Sequence, residues 1–248
     1  MKILLMLVLL MYGSLIAAQD NGAKTKEAYL ACTETCDEDG VGDRNSCLDG
    51  CGKVQAMSSN EWQHTIKVMP VGNAEPGQKL YTDKCSNCHG KQGIPDDRKL
   101  PVLAGQRQLY IYKMLLDYRD NRMNGMDENA ATMASVAAGL VEADMANLAA
   151  WLSSLPRPTA STESGECPKV LKGDHSRLLP PCESCHGANG QGWGVQPALV
   201  GQNKAFLLDT LKRFHDGKRS NDINEGMARF AAKLTEEEMQ AITKCLGR

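Results

Sequence analysis

Behind Lys2 an almost unbroken apolar run extends from Ile3 to Ile16, followed by Ala17, Ala18 and the polar Gln19. Such a run is about fourteen residues, short of the ~20 that span a bilayer, and small residues stand where a signal peptidase cuts. Residues 1–18 are therefore predicted to be a secretory signal peptide, with cleavage after Ala18. Beyond it the apolar positions recur at helical spacing. Leu109 to Arg122 and Ala205 to Arg219 read as amphipathic helices, and Glu142 to Leu155 and Thr235 to Leu246 read as helices that close each half. Alternation at period two is nowhere sustained, so the predicted fold class is all-α.

These helices belong to an internal repeat of roughly 95 residues, too long for a solenoid and right for two tandem domains. Pro101-Val-Leu-Ala-Gly-Gln106 is matched by Pro197-Ala-Leu-Val-Gly-Gln202, and Met133-Ala-Ser-Val-Ala-Ala-Gly-Leu140 by Met227-Ala-Arg-Phe-Ala-Ala-Lys-Leu234. The Pro-, Ser- and Thr-rich stretch between the halves resists helix and suits a linker. The boundaries predicted are an N-terminal module over 19–70, a first domain over 71–156, a linker over 157–165 and a second domain over 166–248.

Composition narrows the chemistry. Of 248 residues 42% are apolar and 23% charged, which excludes wholesale disorder. A formal charge of −2 provides no basic field for a polyanion, so nucleic acid is not an expected partner. Aromatic residues make up only 5%, leaving the core to Leu, Ala, Met and Val or, in part, to something that is not protein.

Four of the ten cysteines supply that something. Cys85-Ser-Asn-Cys88-His89 and Cys182-Glu-Ser-Cys185-His186 are both C-x-x-C-H, the attachment site of c-type haem. Two intervening residues set both sulfurs along one side of the porphyrin for thioether bonding, and the adjacent His lies under the iron as proximal ligand. A zinc site built from the four thiolates leaves both histidines unexplained. A thioredoxin-like motif requires a preceding strand and a βαβ context that the pattern lacks. Two covalently attached haem c groups are thus the expected cofactors.

A haem with a free sixth position binds small molecules, whereas one closed on both faces mainly passes electrons. Met133 and Met227 are the methionines that recur in equivalent positions of the loop after each motif, and are the predicted distal ligands. Met114, Met123 and Met126 have no counterpart in the second half. Met145 and Met239 are equivalent but fall on the closing helices, where packing is the expected role. His64, His175 and His215 are not equivalent to one another, which argues against bis-histidine ligation.

Two C-x-x-C-H domains with the P-x-L-x-G-Q element and the later M-x-x-x-A-x-x-L run resemble the dihaem cytochrome c4 family over about 71–248. The resemblance implies small all-α cytochrome c domains and His/Met ligation by His89, Met133, His186 and Met227, with thioethers from Cys85, Cys88, Cys182 and Cys185. It implies electron carriage between respiratory redox partners in the bacterial periplasm, compatible with peripheral association with a membrane respiratory complex. The chain is also similar to the dihaem subunit of flavocytochrome c sulfide dehydrogenases, which serves a flavoprotein partner. Two departures stand out. Pro180 and Pro181 precede Cys182 and would break the first helix of the second domain. The aromatic expected in the closing helix is Trp151 in the first domain but Cys245 in the second, and a Cys167–Cys245 disulfide would replace an aromatic contact by a covalent one.

Residues 19–70 fall outside the resemblance. Cys32-x3-Cys36 and Cys47-x3-Cys51 place each pair on one helical face, so two antiparallel helices stapled by Cys32–Cys51 and Cys36–Cys47 are expected, with metal binding as the rival. The module is acidic, carrying Glu34, Asp37, Glu38, Asp39, Asp43 and Asp49. No Ser/His/Asp set, phosphate-cradling loop or carboxylate pair suggests catalysis. The reading is an electron carrier without catalytic residues, set against the accepting subunit of a larger dehydrogenase and a haem peroxidase.

Overall fold

Two helices cross near the start and end of the first half, and small residues at the crossing let their backbones meet. In a computed structural model of the chain, which describes residues 23–24, 53–54, 57–123, 128–161 and 167–248, this half comprises six helices. They are α1 (Ser59–Val68), α2 (Ala74–Lys84), α3 (Ser86–His89), α4 (Gln108–Arg119), α5 (Glu128–Ala138) and α6 (Glu142–Ser154). Ser58 and Asn73 cap α1 and α2 by accepting from the amides of Glu61 and Glu75. Helix α2 packs on α6. Gly72 and Gly77 lie so close to the carbonyls of Ala146 and Asn147 that a Cβ at either would overlap them. Tyr81 and Trp151 stack beside the crossing with ring centroids 4.6 Å apart. The Tyr81 hydroxyl donates to Gly90 O at 2.6 Å, so a fully buried phenol keeps its partner.

The second half repeats the later elements and departs in the first. Two 3₁₀ turns, Lys169–Lys172 and His175–Arg177, stand where α2 would be, followed by α7 (Glu183–His186), α8 (Lys204–His215), α9 (Gly226–Ala231) and α10 (Glu236–Leu246). Pro180 and Pro181 deny that segment a continuous helix, as expected. A Cys167–Cys245 disulfide, with Cα atoms 5.3 Å apart, ties its start to α10. Val170, Leu179, Leu211, Leu234, Met239 and Ile242 form this half's core, against which Met227 and Phe230 pack.

The halves meet through a reciprocal pair of glutamines. Gln106 accepts from Ala198 N at 2.7 Å and donates to Ala198 O at 3.0 Å. Gln202 accepts from Val102 N at 2.6 Å and donates to Val102 O at 3.0 Å. Between them the linker residue Arg157 donates to Ala104 O, Ala198 O and Val200 O at 3.2, 2.9 and 2.6 Å. Burial pulls its guanidinium down to about 10. Gly105 and Gly201, with φ of +61° and +72°, adopt the left-handed conformation and are pressed by Arg157 and Pro158 of the linker.

The chain divides into Met1–Gln55 and Ala56–Arg248. Residues 57–69, read from the sequence as part of the N-terminal module, pack with the first half instead. Met57 and Trp62 are buried in its core and Ile66 and Met69 lie against it. The expected boundary follows the extent of the family resemblance, from about 71 on, whereas Met57, Trp62, Ile66 and Met69 join the core of the first half. In the N-terminal unit Ala23–Lys24 pairs in parallel with Lys53–Val54. The predicted signal peptide and the hairpin bearing Cys32, Cys36, Cys47 and Cys51 lie outside the described residues. Among the described residues no helix is long and apolar enough to cross a membrane.

Candidate functional site

Each C-x-x-C-H sequence forms a single helical turn. In α3 the amides of Cys88 and His89 donate to Cys85 O at 3.3 and 3.0 Å, and in α7 those of Cys185 and His186 donate to Cys182 O at 3.3 and 2.9 Å. One turn brings positions i, i+3 and i+4 to one face, so each pair of sulfurs shares a side with its imidazole. The turn ends on a glycine in the left-handed region, Gly90 at φ +75° and Gly187 at φ +72°.

The donor set suits covalent haem. Cys85 and Cys182 are half-buried and Cys88 and Cys185 exposed, and none of the four is paired in a disulfide, whereas Cys167 and Cys245 are. Burial pushes the Cys85 thiol up to about 11, helped by Cys88 and opposed by Lys84. It raises Cys182 as well. The two pairs do not converge: among the described residues no three His, Cys, Asp or Glu side chains gather as a metal-ligand set. The zinc alternative therefore has no support in the geometry.

Both histidines are oriented for Nε2 coordination. His186 Nδ1 lies 2.9 Å from Pro197 O, which places the proton on Nδ1 and leaves Nε2 as the lone-pair donor. His89 is buried and faces Pro101 O in the same sense, more loosely, since its Nδ1 falls short of full hydrogen-bond geometry. Burial lowers the pKa of both imidazoles and the proline carbonyls partly oppose that shift. Burial thus disfavours the protonated form of both rings.

The candidate distal residues occupy matching places in the two halves. Met133 lies on α5 and Met227 on α9, each on the short helix between the amphipathic helix and the closing one. Both are partly exposed. Ahead of Met227 the backbone is strained: Asn224 and Glu225 have φ of +54° and +56°. Asn224 is held from the other half, its amide donating to Ser59 Oγ at 2.5 Å and accepting from Ser59 N at 3.2 Å. Met145 and Met239 are buried in the two cores on the closing helices, as expected. His64 and His175 are exposed, and His215 bonds Asp216 at 2.9 Å.

Sequence reasoning saw the repeated glutamines but assigned them no task, and it read Arg157 as linker. The recurrence of Gln106 and Gln202 at the end of an otherwise apolar element was the available signal. No sequence signal marks Arg157.

Comparison with known proteins extends the pattern beyond the motifs. A family model described as Cytochrome c matches residues 74–156 and 179–246. Cytochrome c4 of Thiocapsa roseopersicina is 30% identical over 190 residues, 74% of this chain and 96% of the relative. The thiosulfate dehydrogenase electron acceptor of Stutzerimonas stutzeri is 31% identical over 188 residues, 69% of this chain and 85% of the relative. The crystal structure of reduced recombinant cytochrome c4 from Pseudomonas stutzeri matches with a TM-score of 0.62 and 30% identity, covering 71% of this chain and 98% of that one. With two C-x-x-C-H turns and likeness across both halves, the chain belongs to the cytochrome c family, among the dihaem cytochrome c4-like proteins, and its cofactors are two covalently bound haem c groups.

Proposed function

We propose that this dihaem electron carrier works in the periplasm as a relay of single electrons between two redox proteins. Cys85 and Cys88 hold one haem through thioethers and Cys182 and Cys185 the other. His89 and His186 are the proximal ligands and Met133 and Met227 the distal ones. The observation that carries this reading is the His186–Pro197 hydrogen bond one residue after Cys185, because it occupies Nδ1 and leaves Nε2 as the lone-pair donor. Iron held by imidazole and thioether supplies a one-electron couple with a raised potential and no open coordination site.

The chain's own residues provide orientation, burial and exclusion of water. The Pro197 carbonyl fixes the tautomer and ring plane of His186. The buried Tyr81–Trp151 stack and, in the second half, the disulfide hold the segments flanking each motif against the closing helices. A second reading, the electron-accepting subunit of a sulfur-compound dehydrogenase, is favoured by the relative named a thiosulfate dehydrogenase electron acceptor. Copurification of a dehydrogenase with the chain at equal stoichiometry would select it.

A redox titration followed by absorption spectroscopy tests the ligand assignment. The oxidised protein is expected to show the weak far-red band of methionine-ligated ferric haem, halved in Met133→Ala and in Met227→Ala and absent from the double variant. A band untouched by both substitutions, or rapid carbon monoxide binding to the reduced wild type at neutral pH, overturns it.

A further inference from the structure

We propose that Gln106 and Gln202 are positioning residues through which each domain sets the reduction potential of the haem in the other. The inference rests on the assignment of His89 and His186 as proximal ligands.

The relevant unit is one peptide group on each side. The peptide joining Pro197 to Ala198 turns its carbonyl to His186 Nδ1, at 2.9 Å, and its N–H to Gln106 Oε1 of the first domain, at 2.7 Å. In the first domain the peptide joining Pro101 to Val102 likewise gives its N–H to Gln202 Oε1 of the second domain, at 2.6 Å, but its carbonyl stops short of a full hydrogen bond to His89 Nδ1. His186 is therefore joined to the opposite domain through a single peptide and one side-chain amide, and His89 lies on the same path with its last link looser.

The orientation of those amides is determined by their surroundings. Gln106 Oε1 also accepts from Arg107 N at 2.8 Å and Gln202 Oε1 from Asn203 N at 2.9 Å. Each oxygen thus faces two N–H donors, and each Nε2 faces a carbonyl, so a flipped amide would oppose donor to donor. Both side chains are buried, Gln106 with 4% and Gln202 with 3% of its surface exposed. Water does not screen or replace the bonds.

The physical effect has a direction. A hydrogen bond to a peptide N–H polarises the group and makes its carbonyl a stronger acceptor, because linked hydrogen bonds reinforce one another. A stronger acceptor draws the Nδ1 proton and raises the basicity of the coordinating nitrogen, which favours ferric iron and lowers the potential. Removing the glutamine amide relaxes that pull. The consequence crosses the interface: a change at Gln106 acts on the haem attached at Cys182 and Cys185, and one at Gln202 on the haem attached at Cys85 and Cys88.

The test uses the holoprotein with Gln106→Met and Gln202→Met, which keep side-chain length and remove both hydrogen-bonding atoms. NMR assignment of the haem methyls separates the two potentials. In Gln106→Met the potential of the second domain's haem is expected to rise and that of the first to stay, and the His186 Nδ1–H resonance of the reduced protein to move upfield. Gln202→Met should raise the potential of the first domain's haem by less, because the last link to His89 is looser, and leave that of the second. Asn221→Ala, which loosens the interface elsewhere, is the control and should leave the difference between the potentials unchanged. Equal shifts of both haems, a shift confined to the substituted domain, or no shift overturns the proposal. An altered absorption spectrum in the wild type, without the far-red band, would instead remove the ligand assignment beneath it.

Discussion

Lys113 of the first domain donates to the backbone carbonyl of Asn221 in the second at 2.6 Å while pairing with Asp117 at 2.5 Å. Asn221 Nδ2 completes the triangle on Asp117 Oδ2 at 2.6 Å. Lys113 and Asp117 are the sixth and tenth residues of α4. The sixth and tenth of α8 are Asp209 and Arg213, which carry the reversed charges and pair at 2.6 Å with the aspartate exposed. The repeat is thus broken here as well, where the second domain's loop covers an ion pair on the first. A buried pair is costly to leave half-made but not to replace outright.

Asp117→Leu is accordingly expected to destabilise the holoprotein by about 3–5 kcal/mol, because it strands the Lys113 ammonium without its carboxylate. Lys113→Met with Asp117→Leu should recover most of that loss. Denaturant titrations of both variants check it, and a double variant no more stable than the single one would show that the pair is not the source.

The disulfide should matter more than its position near the chain's end suggests. Cys167 and Cys245 enclose a loop with a sequence separation of 78 residues. Loop entropy for a closure of this length gives about 4 kcal/mol. Cys167→Ala with Cys245→Ala should lower the unfolding midpoint of the second domain, read from the haem absorption, while the first domain, with its Tyr81–Trp151 stack, keeps its own.

Acid sensitivity is expected ahead of the second haem motif. Bonds from Ser176 and then Arg177 hold the Asp174 carboxyl down at about 2, and Arg177 keeps Glu238 below the ordinary carboxylate range. Carboxylates depressed in the folded state contribute stability above their unfolded pKa, about 4, and that stability is lost as pH falls through the folded values. Arg177→Gln should therefore lower stability slightly near neutrality and flatten the acid limb between about pH 4 and pH 2, so that the profiles of variant and wild type converge at low pH. An unchanged limb would place the acid-labile group elsewhere.

Glu225 offers a substitution of opposite sign. Its φ of +56° costs a residue with a Cβ more than it costs glycine. Glu225→Gly should hold stability level or raise it by up to ~1 kcal/mol, allowing for the freer unfolded chain. The far-red band should be retained, since Met227 keeps its place on α9. Thermal unfolding with absorption at both ends of the transition checks both outcomes.

The haem motifs, the two domains, the closing helices and even the Cys167–Cys245 pairing were legible in the chain because each is a local spacing or a repeat of one. Cys85 to His89 is a single turn, and a turn's geometry follows from its own residues. The boundary at 55/56 was not legible, since α1 earns its place through Trp62 and Met57 meeting a core assembled from distant helices.

What the amino-acid order determined by itself was the cofactor, its number and the candidate ligands, all carried by covalent chemistry and short-range geometry. What only the tertiary structure decided was how the halves face each other: Gln106 on Ala198, Gln202 on Val102, Arg157 across three carbonyls, Lys113 under Asn221. These contacts join residues that are unremarkable in sequence, and their partners are mostly backbone groups, which every residue possesses. No side-chain pattern can name them before the chain has folded.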